Sequence, residues 1–388
     1  MTLHAKNGIW HRELSTYLAG MARIALNARL LVANKLEGIG WFTHECFSRI
    51  AANHPEHQFL LLFDRRPDSM FDYGDHVEVK HLWPPARRPM LYDWWFDYSV
   101  TRAIRRWNAD VFVSTDGFLS RRTSIPQLAV MHDLNFMHHP EWMPPREARY
   151  YRNRFPQFAS IATRLATVSV YSQNDLVEQF GLDQHRIDVI PNAPASVYAV
   201  LDEELKASQR KRWAEGSPYF IFVGSLHPRK NIEGLLAAFA AYKAGGGQVH
   251  LVVVGSSMWT EEMRATMDVH WVGRLDRVDL ALAMGGALGL VYLPWFEGFG
   301  VPIVEAFACG IPVIASNVTS IPEVCGGAEA ALVAPDDVQD AAQWMARIDR
   351  DASYRQDCVR RGLDRAQDFT WDLSAGLLWQ SILKTIPV

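Results

Sequence analysis

The chain has 388 residues, a length that suits two domains of ordinary size. Hydrophobic residues make up 49% of it and charged residues 21%, so we expect each domain to bury a normal core. The formal net charge is −4, which argues against a nucleic acid as the partner, because no overall positive field would attract one.

The cysteines and the apolar runs favour a cytoplasmic location. Cys46, Cys309, Cys325 and Cys358 lie far apart and form neither a metal-ligand spacing nor a disulfide framework, as is usual in a reducing compartment. No apolar run approaches the roughly 18 residues of a membrane span. Residues 1–20 contain charged side chains and no apolar h-region, so we interpret them as an extension or tag before the fold, not as a signal peptide.

From residue 22 onwards, short apolar runs alternate with helical patterns. The predicted strands of a first domain are 22–27, 59–63, 77–82, 109–114, 127–131, 165–169 and 188–190. Those of a second domain are 219–224, 248–255, 287–293 and 312–316. Strands that alternate with helices form parallel sheets with right-handed crossovers, so the pattern predicts two α/β domains. Residues 195–217 are charged and then turn-like, and we interpret them as the linker.

Two glycines, Gly38 and Gly40, stand between the first strand and a helix predicted over 41–52. Strand, glycine turn and helix form the opening unit of a nucleotide-binding fold. The G-x-G-x-x-G pattern is missing, so a dinucleotide site is not predicted. A plain tight turn remains the alternative for both glycines.

His132 directly follows the predicted strand 127–131. In open parallel sheets, ligands bind outside the carboxyl ends of the strands, which makes this histidine a candidate site residue. The alternative is a loop histidine without a functional role, one of fourteen in the chain.

Arg229 and Lys230 follow the first strand of the second domain and precede a helix predicted over 232–243. Two cations at such a position would neutralise a diphosphate. A solvated basic turn is the alternative.

The stretch 294–306 connects the predicted strand 287–293 to a helix that begins near Pro302. Free N–H groups near Gly300 and Val301 would bind an anion at the helix N-terminus. Glu297 lies on the loop, and Glu305 lies about two turns into the helix on the side that faces the same cleft. Carboxylates beside an anion site are suited to accept hydrogen bonds from sugar hydroxyls, unless they are merely exposed glutamates.

Glu297 and Glu305, with Gly298-Phe299-Gly300 between them, resemble the E-x7-E signature of retaining GT-B glycosyltransferases of group 1, also called family 4. The resemblance extends over residues 22–386. It implies an α/β, GT-B fold: two facing Rossmann-like domains with parallel sheets and a cleft between them. The first, 21–194, would bind the acceptor, and the second, 218–370, the donor. The final helix, 371–386, would pack back on the first domain.

The same resemblance implies roles for individual residues. Arg229 and Lys230 would bind the donor pyrophosphate, Glu297 the donor sugar and Glu305 the ribose, with His132 beside the sugar. The residues implied in donor binding besides these are Gly38, Gly40, Gly298, Phe299, Gly300, Val301, Arg274 and Leu275. No cofactor and no metal are implied.

The predicted reaction is sugar transfer from a nucleotide diphosphate sugar to a hydroxyl of a glycan or lipid-linked acceptor, with retention of configuration. GDP-mannose is the donor we favour. Two alternatives stay open. One is a non-hydrolysing nucleotide-sugar epimerase of the same fold, and the other is a catalytically silent partner subunit.

The segment 83–107 is unusually rich in aromatic and basic side chains. These are Trp83, Tyr92, Trp94, Trp95, Phe96, Tyr98 and Trp107 with Arg87, Arg88, Arg102, Arg105 and Arg106. Tryptophan and tyrosine favour the lipid interface and arginine favours anionic headgroups, which predicts a contact with the acceptor or with the inner face of the cytoplasmic membrane. Packing of the aromatic rings into a core is the alternative.

Overall fold

The computed structural model describes residues 20–33, 35–86, 89–255 and 267–387. The predicted extension 1–20 therefore lies outside the described residues except for Gly20, and so do Arg87 and Arg88.

The first domain is built on a parallel sheet with the strand order β3-β2-β1-β4-β5-β6-β7, seven strands in the described part of the chain. The strands are β1 Arg23–Asn27, β2 Gln58–Phe63, β3 Val77–His81, β4 Val111–Ser114, β5 Gln127–Val130, β6 Arg164–Thr167 and β7 Ile187–Val189. Helices cover both faces of the sheet, which is why the central strands are continuous apolar runs without alternation.

The helices of this domain follow the strands as right-handed crossovers require. They are α1 Gly38–Asn53, α2 Pro89–Trp94, α3 Thr101–Arg106, α4 Asn135–His138, α5 Pro145–Ile161 and α6 Val170–Phe180. A π-helical stretch, Trp95–Val100, joins α2 to α3, so that 89–106 is one continuous helical segment. Short 3-10 turns lie at Ser69–Phe71, Pro140–Trp142 and Gln184–Arg186.

The second domain is built on a parallel sheet with the order β10-β9-β8-β11-β12-β13, six strands among the described residues. The strands are β8 Tyr219–Val223, β9 His250–Val254, β10 Val269–Gly273, β11 Gly289–Tyr292, β12 Val313–Ser316 and β13 Ala331–Val333. Its helices are α7 Glu203–Ala214, α8 Ile232–Ala244, α9 Arg277–Gly285, α10 Val301–Ala308, α11 Ile321–Cys325, α12 Val338–Arg350 and α13 Ala352–Ala366, with a 3-10 turn at Pro228–Lys230. The last helix of the chain, α14 Trp371–Thr385, follows them.

The region interpreted as a linker, 195–217, contains helix α7. This helix packs on α9 and on strands β9 and β10, so its contacts are with the second domain. The extended chain between the domains is shorter than the charge pattern indicated, because α7 is a polar helix whose sequence resembles a solvated connection.

The last helix, α14, packs along α1 and touches the first sheet. Ser374 Oγ donates to the carbonyl of Pro191 at 2.6 Å, and the Trp379 ring stacks on His54 with centroids 4.0 Å apart. After the second domain, the chain therefore returns to the first domain, on which the C-terminal helix lies.

Candidate functional site

The two domains meet at the carboxyl ends of their strands. Ser169 Oγ, at the N-cap of α6, donates to the carbonyl of Gly298 at 2.7 Å. The carboxylate of Glu323 on α11 accepts the N–H groups of Val170 and Tyr171 at 2.8 and 2.9 Å. A carboxylate at a helix N-terminus satisfies free donors and complements the helix dipole, so this contact holds the domains together at one side of the cleft.

Gly298 lies where the two domains come into close contact. A Cβ atom built on it would lie 2.2 Å from the carbonyl oxygen of His132, a distance that no side chain tolerates. Gly300, two residues on, has φ 98° and leads into α10, where Pro302 suits the first turn. Glycine is needed at both positions, for different reasons.

Arg229, Lys230 and Glu297 form one buried cluster. Arg229 Nη1 donates to Glu297 Oε1 at 2.8 Å, and Lys230 Nζ contacts the same oxygen. The hydroxyl of Tyr292, at the end of β11, also donates to it at 2.9 Å. One carboxylate oxygen thus receives three donors.

Asn231 fixes the turn that carries the two cations. Its backbone is left-handed, with φ 53°. Its side-chain amide donates to the carbonyls of Leu293 and Pro335 at 3.0 and 2.7 Å, and its oxygen caps α8 by accepting the N–H of Gly234 at 3.2 Å. The turn is therefore tied to the loop after β11 that leads to Glu297.

Burial and neighbouring charge shift the pKa values in this cluster. Burial lowers the pKa of Lys230 to about 8, although Glu297 opposes that shift. Burial alone would raise the pKa of Glu297, but Arg229 and Lys230 hold it at about 2. Glu297 is therefore an ionised carboxylate bound to the two residues predicted to hold pyrophosphate.

Glu305 lies on α10 and is half-buried. Burial raises its pKa to about 7, against the opposing effects of a hydrogen bond from Tyr198 and the charge of Arg277. Tyr198 is buried and belongs to the extended connection between the domains. Glu305 thus changes charge near neutral pH.

His132 stands at the carboxyl end of β5, as the sequence predicted. Its Nε2 lies 2.9 Å from the carbonyl of Thr115, so Nε2 carries the proton, and its Nδ1 is an acceptor. The ring meets Phe42 edge to face at 5.1 Å. Burial lowers the pKa of His132, which keeps the imidazole neutral.

Gly38 and Gly40 lie within the first turn of α1, because the helix begins at Gly38 and not at Trp41 as predicted. A Cβ on Gly40 would lie 2.9 Å from the carbonyl oxygen of Leu30, whereas Gly38 has open space. Glycine lowers helix propensity in the interior but is tolerated at the end, so the pattern was mistaken for a turn. This end of α1 faces the second domain, where Arg277 lies 3.7 Å over the Trp41 ring.

The remaining predicted donor residues differ in exposure. Arg274 is exposed, and its nearest carboxylate is Glu37 at 3.9 Å. Leu275 follows it in the loop before α9 and is half-buried against the core of the second domain. Phe299 is buried edge-on against Phe369 at 5.5 Å, so only its backbone is available to a ligand. Val301 is the first residue of α10 and half-buried.

Sequence reasoning missed three residues of the site. Tyr292 is the last residue of its strand, and the rule that ligands lie at carboxyl strand ends could have found it. Tyr198 and Arg277 gave no local signal, because their position depends on how the domains dock. Among the described residues, no group of three or more His, Cys, Asp or Glu side chains is placed to hold a metal ion.

Two parallel-sheet domains that face each other across this cluster define the GT-B class of glycosyltransferases. The family model for glycosyl transferases group 1 matches residues 203–365, and that for glycosyltransferase family 4 matches residues 37–193. The matches fall on the two domains in turn, and the chain belongs to the group 1 glycosyltransferases.

Individual relatives agree with this assignment. The chain is 28% identical to O-antigen chain mannosyltransferase B of Escherichia coli, over 92% of this chain and 93% of that one. It is 25% identical to the serotype-specific mannosyltransferase WbdA of Escherichia coli over 60% of this chain and 30% of that longer one.

Among solved structures, sucrose-phosphate synthase from Thermosynechococcus elongatus has the same fold, with a TM-score of 0.76 at 19% identity, over 92% of this chain and 98% of that one. HepE from Anabaena in complex with UDP and glucose superposes with a TM-score of 0.69 at 17% identity, over 93% of this chain and 99% of that one.

Proposed function

We propose that this glycosyltransferase moves a hexose, with retention of configuration, from a nucleotide diphosphate sugar to a hydroxyl of a glycan or lipid-linked acceptor. The observation that carries the proposal is the convergence of Arg229, Lys230 and Glu297 beside the N-terminus of α10. Mannose from GDP-mannose is the donor we favour, and the mannosyltransferase relatives support that choice.

The two cations and the N–H groups at Gly300 and Val301 would bind the diphosphate and stabilise the charge that develops on it as it leaves. Such a site needs no divalent metal, and we propose that none is required. We expect activity to survive EDTA. Loss of activity in EDTA that Mg²⁺ or Mn²⁺ restores would refute this part.

Glu297 would change partners when the donor binds. Its carboxylate bridges Arg229 and Lys230, which are the groups that a diphosphate needs. A diphosphate carries more negative charge than one carboxylate and would compete for both cations. We propose that Glu297 then turns to the hydroxyls of the donor sugar, while Tyr292 and Lys230 stay in place.

Glu305 would accept hydrogen bonds from the ribose hydroxyls in its ionised form, with Tyr198 holding the carboxylate. His132 would present Nδ1 as an acceptor beside the sugar. In the step itself, the acceptor oxygen bonds to the anomeric carbon on the side from which the phosphate oxygen leaves. That phosphate oxygen takes the hydroxyl proton, so charge and atoms balance.

The test combines binding and product analysis. GDP-, UDP- and ADP-sugars are compared by thermal shift, because a ligand that binds only the folded protein raises its melting temperature. The stabilising donor is then incubated with mannose oligosaccharides, and the new anomeric centre is assigned by NMR.

Nucleotide released only when acceptor is present supports transfer. A changed sugar configuration in the donor without acceptor would instead indicate an epimerase, and no donor stabilising the protein would indicate a silent subunit. The cytoplasmic location stays a proposal as well.

A further inference from the structure

One side of the first domain exposes several large apolar side chains together. Met90 is 87% exposed, Trp83 77%, Trp94 53% and Tyr98 44%. Met90, Trp94 and Tyr98 follow each other along the helical segment 89–106, and the Trp94 and Tyr98 rings lie 4.8 Å apart. Trp83 joins them because its carbonyl accepts the Ser99 hydroxyl at 2.7 Å. Contiguous apolar exposure of this kind marks an interaction surface.

The structure divides the aromatic residues of the predicted contact segment 83–107 into two sets. Trp95, Phe96 and Trp107 are buried, so the core-packing alternative is correct for them. Trp83, Trp94 and Tyr98 point outward from the same segment. The exposed set is therefore a surface that the core does not need.

Helix α5 lies beside this stripe and is strongly basic. Its sequence contains four arginines and one glutamate. The two helices are joined through Asp93, which accepts from Arg154 Nη2 at 2.6 Å and from the Tyr150 hydroxyl at 2.7 Å. Arg146, Arg149 and Arg152, spaced three residues apart on α5, are exposed. We call the exposed residues of 83–106 together with these three arginines the aromatic–basic face.

The charge of this face is positive because its arginines outnumber its carboxylates, which are Asp93, Asp97 and Glu147. Asp97 is buried and bound by Arg121, and Asp93 is bound by Arg154. Within the described part of the chain, Arg146, Arg149 and Arg152 have no ion-pair partner. The exposed arginines Arg102, Arg106 and Arg122 lie on the same segment or beside it, and Arg122 covers the Tyr98 ring at 4.7 Å.

The face begins at the mouth of the cleft. Arg29, in the loop after β1, packs between the rings of Tyr92 and Phe118 at 4.9 and 4.5 Å, which places the start of the 89–106 segment at the carboxyl edge of the first sheet. Helix α5 begins just after Trp142, whose carbonyl lies 2.9 Å from His227 Nε2 of the second domain. A partner that binds the aromatic–basic face would therefore lie next to the cleft between the domains.

We propose that the aromatic–basic face docks on an anionic phospholipid bilayer. The exposed aromatic and methionine side chains would enter the interface, and the arginines would bind headgroup phosphates. A glycan fits less well, because Asp93 and Asp97 have few acceptor positions left for sugar hydroxyls. Among the described residues, no helix is long and apolar enough to cross a bilayer. That docking would bring the cleft close to a lipid-linked acceptor rests on the proposed function, but the docking itself does not.

The experiment is co-sedimentation of the full chain with phosphatidylglycerol–phosphatidylcholine vesicles and with phosphatidylcholine vesicles, at low and high salt. Wild type should pellet with the anionic vesicles and dissociate in high salt. The variant R146E/R149E/R152E should lose at least about 10²-fold in partition, since each basic residue near such a surface contributes roughly a factor of five. M90S/W94S should also weaken binding. A smaller fraction of the bound variant than of bound wild type should stay on the vesicles in high salt.

Matched variants in the second domain serve as controls. K211E/R350E/R360E makes the same charge change at exposed sites, and M267S changes a methionine that is 81% exposed. Both should sediment like wild type. Transfer to a soluble oligosaccharide is measured for every variant and should be unchanged, which separates this proposal from the proposed function.

Three results would overturn the docking proposal. Wild type could stay in the supernatant with anionic vesicles at low salt. The face variants could pellet as well as wild type. Finally, wild type could fail to bind vesicles while the face variants lose affinity for a soluble oligosaccharide. That result would assign the face to a glycan.

Discussion

Replacement of Glu297 by glutamine separates the binding of the diphosphate from the transfer of the sugar. Glu297 Oε1 accepts from Arg229, Lys230 and Tyr292. A pKa lowered from 4.5 to about 2 means that the cluster favours the ionised carboxylate by about 3 kcal/mol. A diphosphate must displace that interaction before it can occupy the same cations.

In Glu297→Gln this competition is weakened, so the nucleoside diphosphate should bind more tightly. The full 3 kcal/mol would correspond to about 10²-fold. The gain should be smaller, about tenfold, because Glu297 also supports the pKa of Lys230, and without it more of the lysine is neutral at pH 7. Transfer should nevertheless fall by at least about 10²-fold, since the carboxylate that would hold the donor sugar is lost.

The measurements are calorimetric titration with GDP and steady-state transfer from GDP-mannose. Glu233→Gln is the matched control, because Glu233 is an exposed carboxylate in the first turn of α8, directly after the cation turn. The reasoning is refuted if Glu297→Gln binds GDP no better than the control, or if its transfer rate stays within a few-fold of wild type.

Three further results are expected. Lys230→Ala should lower transfer by at least about 10²-fold, because a buried cation that would face the leaving diphosphate is lost. Circular dichroism checks that the variant is folded. A folded variant with a rate near that of wild type would contradict the assignment. The pH profile of kcat/KM should fall below pH 7, where Glu305, whose pKa is raised to about 7, becomes protonated, and above pH 8, where Lys230, whose pKa is lowered to about 8, loses its charge. Glu305→Gln should remove the acid limb and Lys230→Arg the alkaline limb, and limbs that persist in these variants would assign them to other groups. Gly298→Ala should disrupt the contact with His132 and lower both thermal stability and transfer, whereas Gly38→Ala, which meets open space, should change stability little.

The sequence alone predicted most strands of both domains in their order along the chain, but not β10 or β13, and only a few of the helices. Apolar runs of strand length between glycine and proline signals are a local property, and the strands lie within a few residues of their predicted bounds. The elements whose ends were misjudged are those whose signals are ambiguous: α1 begins at Gly38 because glycine also fits a first helical turn, and α7 is a polar helix within a region that was interpreted as a linker.

Arg229, Lys230 and Glu297 could be selected from sequence because they stand at strand ends and next to helix starts, where the backbone itself defines an anion site. Only the tertiary structure decided their partners. Tyr292 and Glu297 are 5 residues apart, but Lys230 and Glu297 are 67 apart, and Tyr198 reaches Glu305 from the connection between the domains. Burial and charge pairing set the pKa of each group, and both depend on contacts between distant parts of the chain. The same holds for the segment 83–107, where helical packing on the first sheet decided which aromatic rings are buried and which remain at the surface.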